Sequence, residues 1–335
     1  MSKRRRSTGW AKLFQRSFTQ VTRLAVKSGN RAVKLALKPV PARSTPPSGA
    51  GTWRLGVAAG PGGMRRFRLY RPPAVGFAER LPLLVMLHGC GQDANAFATS
   101  TRMNRLAMAQ RFLVLYPEQD RLANAQGCWN WFDTASGRAG REAESIMQAI
   151  DQVCLQQPVD RSRVAIAGLS AGASMAALLA IRHPGRFQAL IMHSGIPPGS
   201  AHSSLSALAA MRGRRGASPL AATLPLVAAT WPPLLVIHGS ADDVVALANA
   251  QGAIRLWAGA GGAQAGVVRQ VLRGQRLPMA VTDYKRAGSA VATLIVVDGL
   301  GHAWSGGLAS QPFSDGRGPD ASRMVWSFAA RQFRR

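Results

Sequence analysis

Arg163-Val-Ala-Ile-Ala-Gly-Leu-Ser-Ala-Gly-Ala-Ser-Met175 reads as three pieces in immediate succession. Val164 to Ala167 is a short apolar run of the buried-strand type. Gly168-Leu169-Ser170-Ala171-Gly172 has the spacing G-x-S-x-G, and Ala173 to Ala180 reads as a tightly packed helix that ends near His183-Pro184. A serine on such a strand-to-helix turn is held in a strained conformation that lifts its hydroxyl above the sheet. Glycine at the two flanking positions lets the strand and helix backbones pass closely. Ser170 is therefore the expected nucleophile. A hydroxyl is a poor nucleophile at neutral pH, so the reading also requires a histidine base and a carboxylate, arriving later in the chain in the order Ser, Asp/Glu, His. The spacing alone has little specificity in a chain with 35 glycines, so flanks and partners decide.

Outward from that turn, apolar runs recur. Leu83 to Leu87, Phe112 to Tyr116, Ala189 to Met192, Leu234 to Ile237 and Thr293 to Val297 each read as a strand covered on both faces. Glu142 to Leu155, with Ile146, Ala149, Ile150 and Val153 on one side, reads as a helix feeding the Val164 strand, and Asp320 to Phe333 as a final helix. Thr52 to Val57 and Arg65 to Tyr70 flank Gly-Pro-Gly-Gly and suggest an opening hairpin. Strands alternating with helices predict an α/β fold with a mostly parallel sheet and helices on both faces.

In such sheets active sites lie beyond the carboxyl ends of the strands. After Leu234 to Ile237 comes His238-Gly-Ser-Ala-Asp242-Asp243, and after Thr293 to Val297 comes Asp298-Gly-Leu-Gly-His302-Ala-Trp304. Ser170, Asp242 and His302 thus follow in the required order, each on a loop leaving a strand, with Asp243 as the rival acid. Ser170 would attack a carbonyl carbon, His302 would move the proton, and Asp242 would hold the imidazole in the right tautomer. Ala171 supplies one backbone donor for the oxyanion, and the His88-Gly-Cys-Gly loop supplies the other, assigned to Cys90 with Gly89 and Gly91 as close rivals. His88, His193 and His238 read as structural. No cofactor is implied. The three cysteines, Cys90, Cys128 and Cys154, are too few and too irregularly spaced for a metal site or a disulfide framework.

Composition separates the beginning of the chain from the rest. Against 42 Lys+Arg stand 15 Asp+Glu, a net charge of +27, which predicts attraction to anionic surfaces. Residues 1–50 contain basic residues and no acidic ones, closing on the Pro- and Gly-rich 39–51; residues 51–335 have the composition of a folded catalytic domain. On a helical wheel Trp10, Leu13, Phe14, Phe18, Val21 and Leu24 share one side of this arm and Lys12, Arg16, Arg23, Lys27, Lys34 and Lys38 the opposite flank. That pattern suits a helix lying on an anionic granule or membrane surface; a disordered basic tail and a nucleic-acid tether are the alternatives. The start Lys3-Arg4-Arg5-Arg6 is not followed by the apolar core of a secretory signal, and prolines break the uncharged stretch 216–241 as a membrane helix.

His88-Gly-Cys-Gly-Gln, Tyr116-Pro-Glu-Gln-Asp, Gly127-Cys-Trp-Asn-Trp-Phe132, Gly168-Leu-Ser-Ala-Gly-Ala and Gly318-Pro-Asp-Ala-Ser322 resemble the motifs of the polyhydroxybutyrate depolymerase family of α/β-hydrolase esterases, which also contains feruloyl and acetylxylan esterases. The likeness covers about residues 65 to 333. It implies Ser170 as nucleophile, Asp242 as acid in the His-Gly-x-x-Asp turn and His302 as base. It further implies a pairing of Cys90 with Cys128, against which stand two free thiols in a reducing cytosol. Trp129, Trp131 and Trp304 would line the substrate face, the alternative being core positions. The expectation is a serine esterase for short-chain hydroxyalkanoate polyester or its oligomers. The enzyme alternative is a feruloyl or acetylxylan carboxylesterase, and the non-enzyme alternative is a granule- or nucleic-acid-binding protein on an inactive scaffold. The missing signal suggests a cytoplasmic, granule-associated enzyme, with extracellular location as the alternative.

Overall fold

The computed structural model describes residues 44–214 and 231–334; the amphipathic arm lies outside them. The chain opens with the antiparallel hairpin β1 (Thr52–Ala58) and β2 (Arg65–Arg71). β3 (Leu81–Leu87), helices α1 (Ala94–Thr101) and α2 (Met103–Gln110), and β4 (Leu113–Pro117) follow. Next come α3 (Arg138–Gln156), β5 (Val159–Leu169), α4 (Ala171–Arg182), β6 (Ala189–His193), α5 (Ser204–Met211), β7 (Leu234–Gly239) and α6 (Ala248–Gly261). The chain ends with β8 (Gln264–Ala265), β9 (Arg269–Val271), β10 (Met279–Arg286), β11 (Ser289–Val297), the short pair β12 (Trp304–Ser305) and β13 (Ser314–Asp315), and α7 (Ala321–Gln332).

The sheet runs β1-β2-β4-β3-β5-β6-β7-β11-β10-β8, with β9 also on β10. Pairings from β4 through β11 are all parallel, and antiparallel strands close both ends. Every apolar run singled out in the sequence falls in this parallel centre. β3 shows why such runs are unbroken. Leu83, Val85 and Leu87 pack with α3, α4 and α6 on one face, while Leu84 and Met86 pack with α1, α2 and α7 on the other. A strand covered twice has no position left for water. β10 was not foreseen. Its Met-Ala-Val-Thr-Asp-Tyr-Lys-Arg has only part of one face buried, so its apolar residues are interleaved with polar ones.

Residues 44–50, read from composition as linker, are attached to the domain. Ser44 donates from its N–H and its hydroxyl to Asp93, the N-cap of α1, and Asn95 returns a 2.6 Å bond to the Ser44 carbonyl. The Tyr70 hydroxyl donates to Ala50 O at 2.8 Å. The chain is therefore attached to the domain from Ser44 onward and not only from residue 51.

Candidate active site

β5 runs straight into α4, and Ser170 is the single residue between them, at φ 55° and ψ −121°. An L-residue with positive φ is costly unless its surroundings fix it. Here the Ser170 N–H donates to His193 O at 2.8 Å and the Ser170 carbonyl accepts the first helical N–H, from Ser174, at 3.1 Å. The flanking glycines are required by contact. A Cβ on Gly168 would run into the Gly172 backbone, and one on Gly172 into the carbonyl oxygens of Leu87 and His88. Strand and helix thus pass as closely as the spacing predicted, and the turn is in addition wedged against the end of β3.

Asp242 and His302 lie on the loops leaving β7 and β11. His302 Nδ1 donates to Asp242 Oδ2 at 2.8 Å, and the Asp242 side chain is fully buried. Its other oxygen, Oδ1, accepts the N–H groups of Val244 at 3.0 Å and Val245 at 2.8 Å. Burial by itself raises this carboxyl, but the neighbouring His302 imidazole, helped by His238 and the Val245 N–H, outweighs it and holds the group at about 2. Asp243 is exposed and takes no part in this pairing.

The loop after β3 distinguishes among the candidate oxyanion donors. Gly89 N–H donates to Gln92 Oε1 at 3.0 Å and Gly91 N–H to Gln126 O at 2.8 Å. Among the described residues no acceptor faces the N–H of Cys90 or of Ala171, and both residues line a cavity of about 20 Å³ that Ser170 also lines. Cys90 is bonded to Cys128, so the free-thiol alternative is not the one adopted. The bridge and a 3.0 Å bond from Trp129 Nε1 to His88 O tie the Gly127-Cys-Trp segment to the loop after β3.

The three tryptophans separate. Trp129 and Trp131 line the cavity beside Ser170, although Trp129 is as fully buried as Trp304 and only Trp131 keeps some exposure. Trp304 does not line it: it is fully buried, its Nε1 donates to Ser322 Oγ at 3.1 Å, and its ring stacks on His193 and meets Phe97 edge-on. The substrate-face expectation for Trp304 is corrected to a core role, because β12 turns its ring inward under the catalytic loop. Phe132, Ile196, Ala207, Met211 and Val245 complete the cavity wall. Sequence reading missed all five, since an apolar residue facing a cavity and one facing the core carry the same signal.

His88 and His193 serve the backbone, as expected. His88 Nε2 accepts from the Gln119 N–H and His193 Nε2 from the Ser305 N–H, both at 3.2 Å, and burial pushes them down to about 4 and about 3. His238 is closer to the chemistry than expected, with Nε2 3.5 Å from Asp242 Oδ2.

Comparison with known proteins agrees with this geometry at the level of family. A model of the family described as Esterase PHB depolymerase matches residues 65–278, more than half of the chain. Poly(3-hydroxyalkanoate) depolymerase C of Paucimonas lemoignei is 34% identical over 197 residues, 56% of this chain and 46% of that protein. Acetylxylan esterase A of Emericella nidulans is 27% identical over 206 residues, 58% of this chain and 66% of that one. The chain thus spans under half of the depolymerase's length and just under two thirds of the esterase's. The solved acetyl xylan esterase from Aspergillus awamori shares the fold, with a TM-score of 0.65 at 19% identity over 83% of this chain and 100% of that one. With strand order, nucleophile turn and family match in agreement, the chain belongs to the PHB depolymerase family of esterases, built on the α/β-hydrolase fold.

Proposed function

We propose that this protein is a serine esterase in which Ser170, His302 and Asp242 form the catalytic triad. The 2.8 Å pairing of His302 with a buried Asp242, at the carboxyl ends of the parallel strands where Ser170 stands in its strained turn, carries the reading. Ser170 Oγ attacks the ester carbonyl carbon while His302 Nε2 takes the hydroxyl proton. The oxyanion accepts the N–H groups of Cys90 and Ala171. As the carbon–oxygen bond to the alcohol breaks, His302 returns the proton to the leaving oxygen, and an acyl-enzyme remains. Water then attacks that ester, gives its proton to His302, and Ser170 recovers it as the acid leaves.

The substrate we favour is a short-chain 3-hydroxyalkanoate polyester or its oligomers. Support comes from the depolymerase relative and from the cavity beside Ser170, whose walls are apolar and whose 20 Å³ holds little more than a water-sized group. The methyl branch of a hydroxybutyrate unit fits such a space. The methyl of an acetyl group fits it equally, so acetyl ester hydrolysis, as in the acetylxylan esterase relatives, is the second reading. The feruloyl esterase relative keeps a phenolic ester as the remaining enzyme alternative.

A fluorophosphonate probe should label Ser170 in the wild-type chain, and Ser170→Ala should lose about 10⁶-fold in turnover while melting at the wild-type temperature. A variant that retains a tenth of the activity removes the triad. Hydroxybutyrate oligomers, acetylated xylan oligomers and methyl ferulate, assayed side by side, rank the substrate readings.

A further inference from the structure

His238 is the last but one residue of β7, fully buried, and stands four residues before the acid it approaches. Its Nε2 lies 2.9 Å from the carbonyl oxygen of Val245. A carbonyl only accepts, so Nε2 carries the proton. The other ring nitrogen, Nδ1, is buried and has no hydrogen-bond partner among the described residues, which leaves it as a bare lone pair in a neutral ring. Burial favours that neutral form and outweighs Asp242 and the Val245 carbonyl, both of which favour charge, while His302 works with burial against it. His193, on the neighbouring strand, is likewise neutral.

The Nε2–H therefore donates to Val245 O at 2.9 Å, with Asp242 Oδ2 beside it, 3.5 Å from the same nitrogen. The same Oδ2 accepts the His302 Nδ1–H, and the N–H of the same Val245 donates to Asp242 Oδ1. The loop is thus closed on itself. Val245 grips one carboxylate oxygen from its N–H, and its carbonyl is gripped by the ring that borders the other oxygen. We propose that His238 is a positioning residue for the acid–base pair: its Nε2–H, directed at the Val245 carbonyl and the edge of Asp242 Oδ2, fixes the loop and the carboxylate plane that orient His302. It touches neither substrate nor reacting atoms. The proposal rests on the triad reading above.

The experiment uses the full chain and two substitutions. Glutamine carries an N–H at about the reach of Nε2, whereas phenylalanine fills the ring's space without one. On a soluble p-nitrophenyl ester, His238→Phe should lower kcat on the order of 10- to 100-fold with KM within about twofold, the signature of a misplaced base and not of lost binding. His238→Gln should recover most of the loss. A kcat for His238→Phe within about twofold of wild type overturns the proposal, as does an equal fall in both variants. If the phenylalanine variant does not melt cooperatively, nitrogen NMR of the wild-type imidazole decides: a neutral ring protonated on Nε2 at pH 7 supports the assignment, and a charged ring or the Nδ1–H tautomer overturns it. Fluorophosphonate labelling of Ser170 separates the two failures. Labelled Ser170 with an indifferent His238 sinks this inference alone, while absent labelling removes the esterase reading and this inference with it.

Discussion

Asp242 carries two duties through two oxygens, and the division explains why its neighbour cannot substitute for it. Oδ1 is committed to the N–H groups of Val244 and Val245, which fixes the carboxylate, and Oδ2 is left to the imidazole. Asp243, one residue on, points into solvent. Asp242→Asn keeps the size but presents an N–H or a weaker acceptor to His302, favouring the wrong tautomer, and turnover should fall about 10⁴-fold. Asp243→Asn should leave turnover within about twofold. Steady-state kinetics of the two variants check this, and the reverse ranking would transfer the acid to Asp243. The turn at Ser170 and the pairing of Asp242 with His302 were legible in the sequence because each is announced by local grammar: a serine between close-packed glycines, or an acid and a histidine just past an apolar run. Trp304 had the same placement and misled, because the direction of a side chain after a two-residue strand is set by tertiary packing. For Cys90 the sequence left three neighbouring amides in contention. Only the partners of Gly89 and Gly91 separate them, and those partners, Gln92 and Gln126, are chosen by the fold.

Among the elements, the parallel strands were the most legible and the helices that complete them the least. α6, Ala-Asn-Ala-Gln-Gly-Ala-Ile-Arg-Leu-Trp-Ala-Gly-Ala-Gly, contains three glycines and owes its existence to Ala250, Ile254 and Trp257 packing on the sheet. No propensity argument finds it. The Cys90–Cys128 bridge belongs to this scale too, since it joins the segment after β3 to the segment before α3. It closes a loop with a sequence separation of 38, for which chain entropy gives roughly 4 kcal/mol of stabilisation. Cys128→Ser should therefore lower the unfolding free energy by about that amount, read from urea unfolding under non-reducing conditions. Wild type treated with a reductant should converge on the variant. Equal stabilities of oxidised and reduced wild type would show that the bridge contributes nothing.

On the scale of the whole molecule the buried histidines set an acid limit. His88 and His193 are held neutral by burial, at about 4 and about 3, below the ordinary value near 6.5. The unfolded chain binds protons at these positions where the folded chain does not, so their stabilisation is complete above about pH 6.5 and is lost as pH falls toward the folded values. At pH 4 each has given up roughly 3 kcal/mol. Asp242, held at about 2, adds its own loss below the ordinary carboxylate range near 3.9. Melting temperature should be level from pH 7 to 8 and fall steeply between pH 6 and 4; a flat profile across that interval would contradict the burial of the two imidazoles.

The charge of the whole chain, +27, bears on where it works. Residues 1–43 hold no acidic residue and place aromatic and aliphatic side chains opposite lysines and arginines on a helical wheel, a pattern suited to an anionic surface. We propose that this arm docks the enzyme on the coat of polyester granules, raising local substrate without entering the chemistry. The folded domain tells where to cut. Ser44 is bonded to Asp93 and Asn95 at the start of α1, which follows the loop after β3, so a deletion reaching past residue 43 removes contacts of the folded domain. Removing 1–43 should leave kcat and KM on a soluble ester unchanged and weaken co-sedimentation with anionic vesicles. The difference should be largest at low salt, because the Debye length shrinks from about 30 Å at 0.01 M to about 10 Å at 0.1 M. Unaltered sedimentation after the 1–43 deletion, or loss of soluble-ester turnover with it, rejects the docking role.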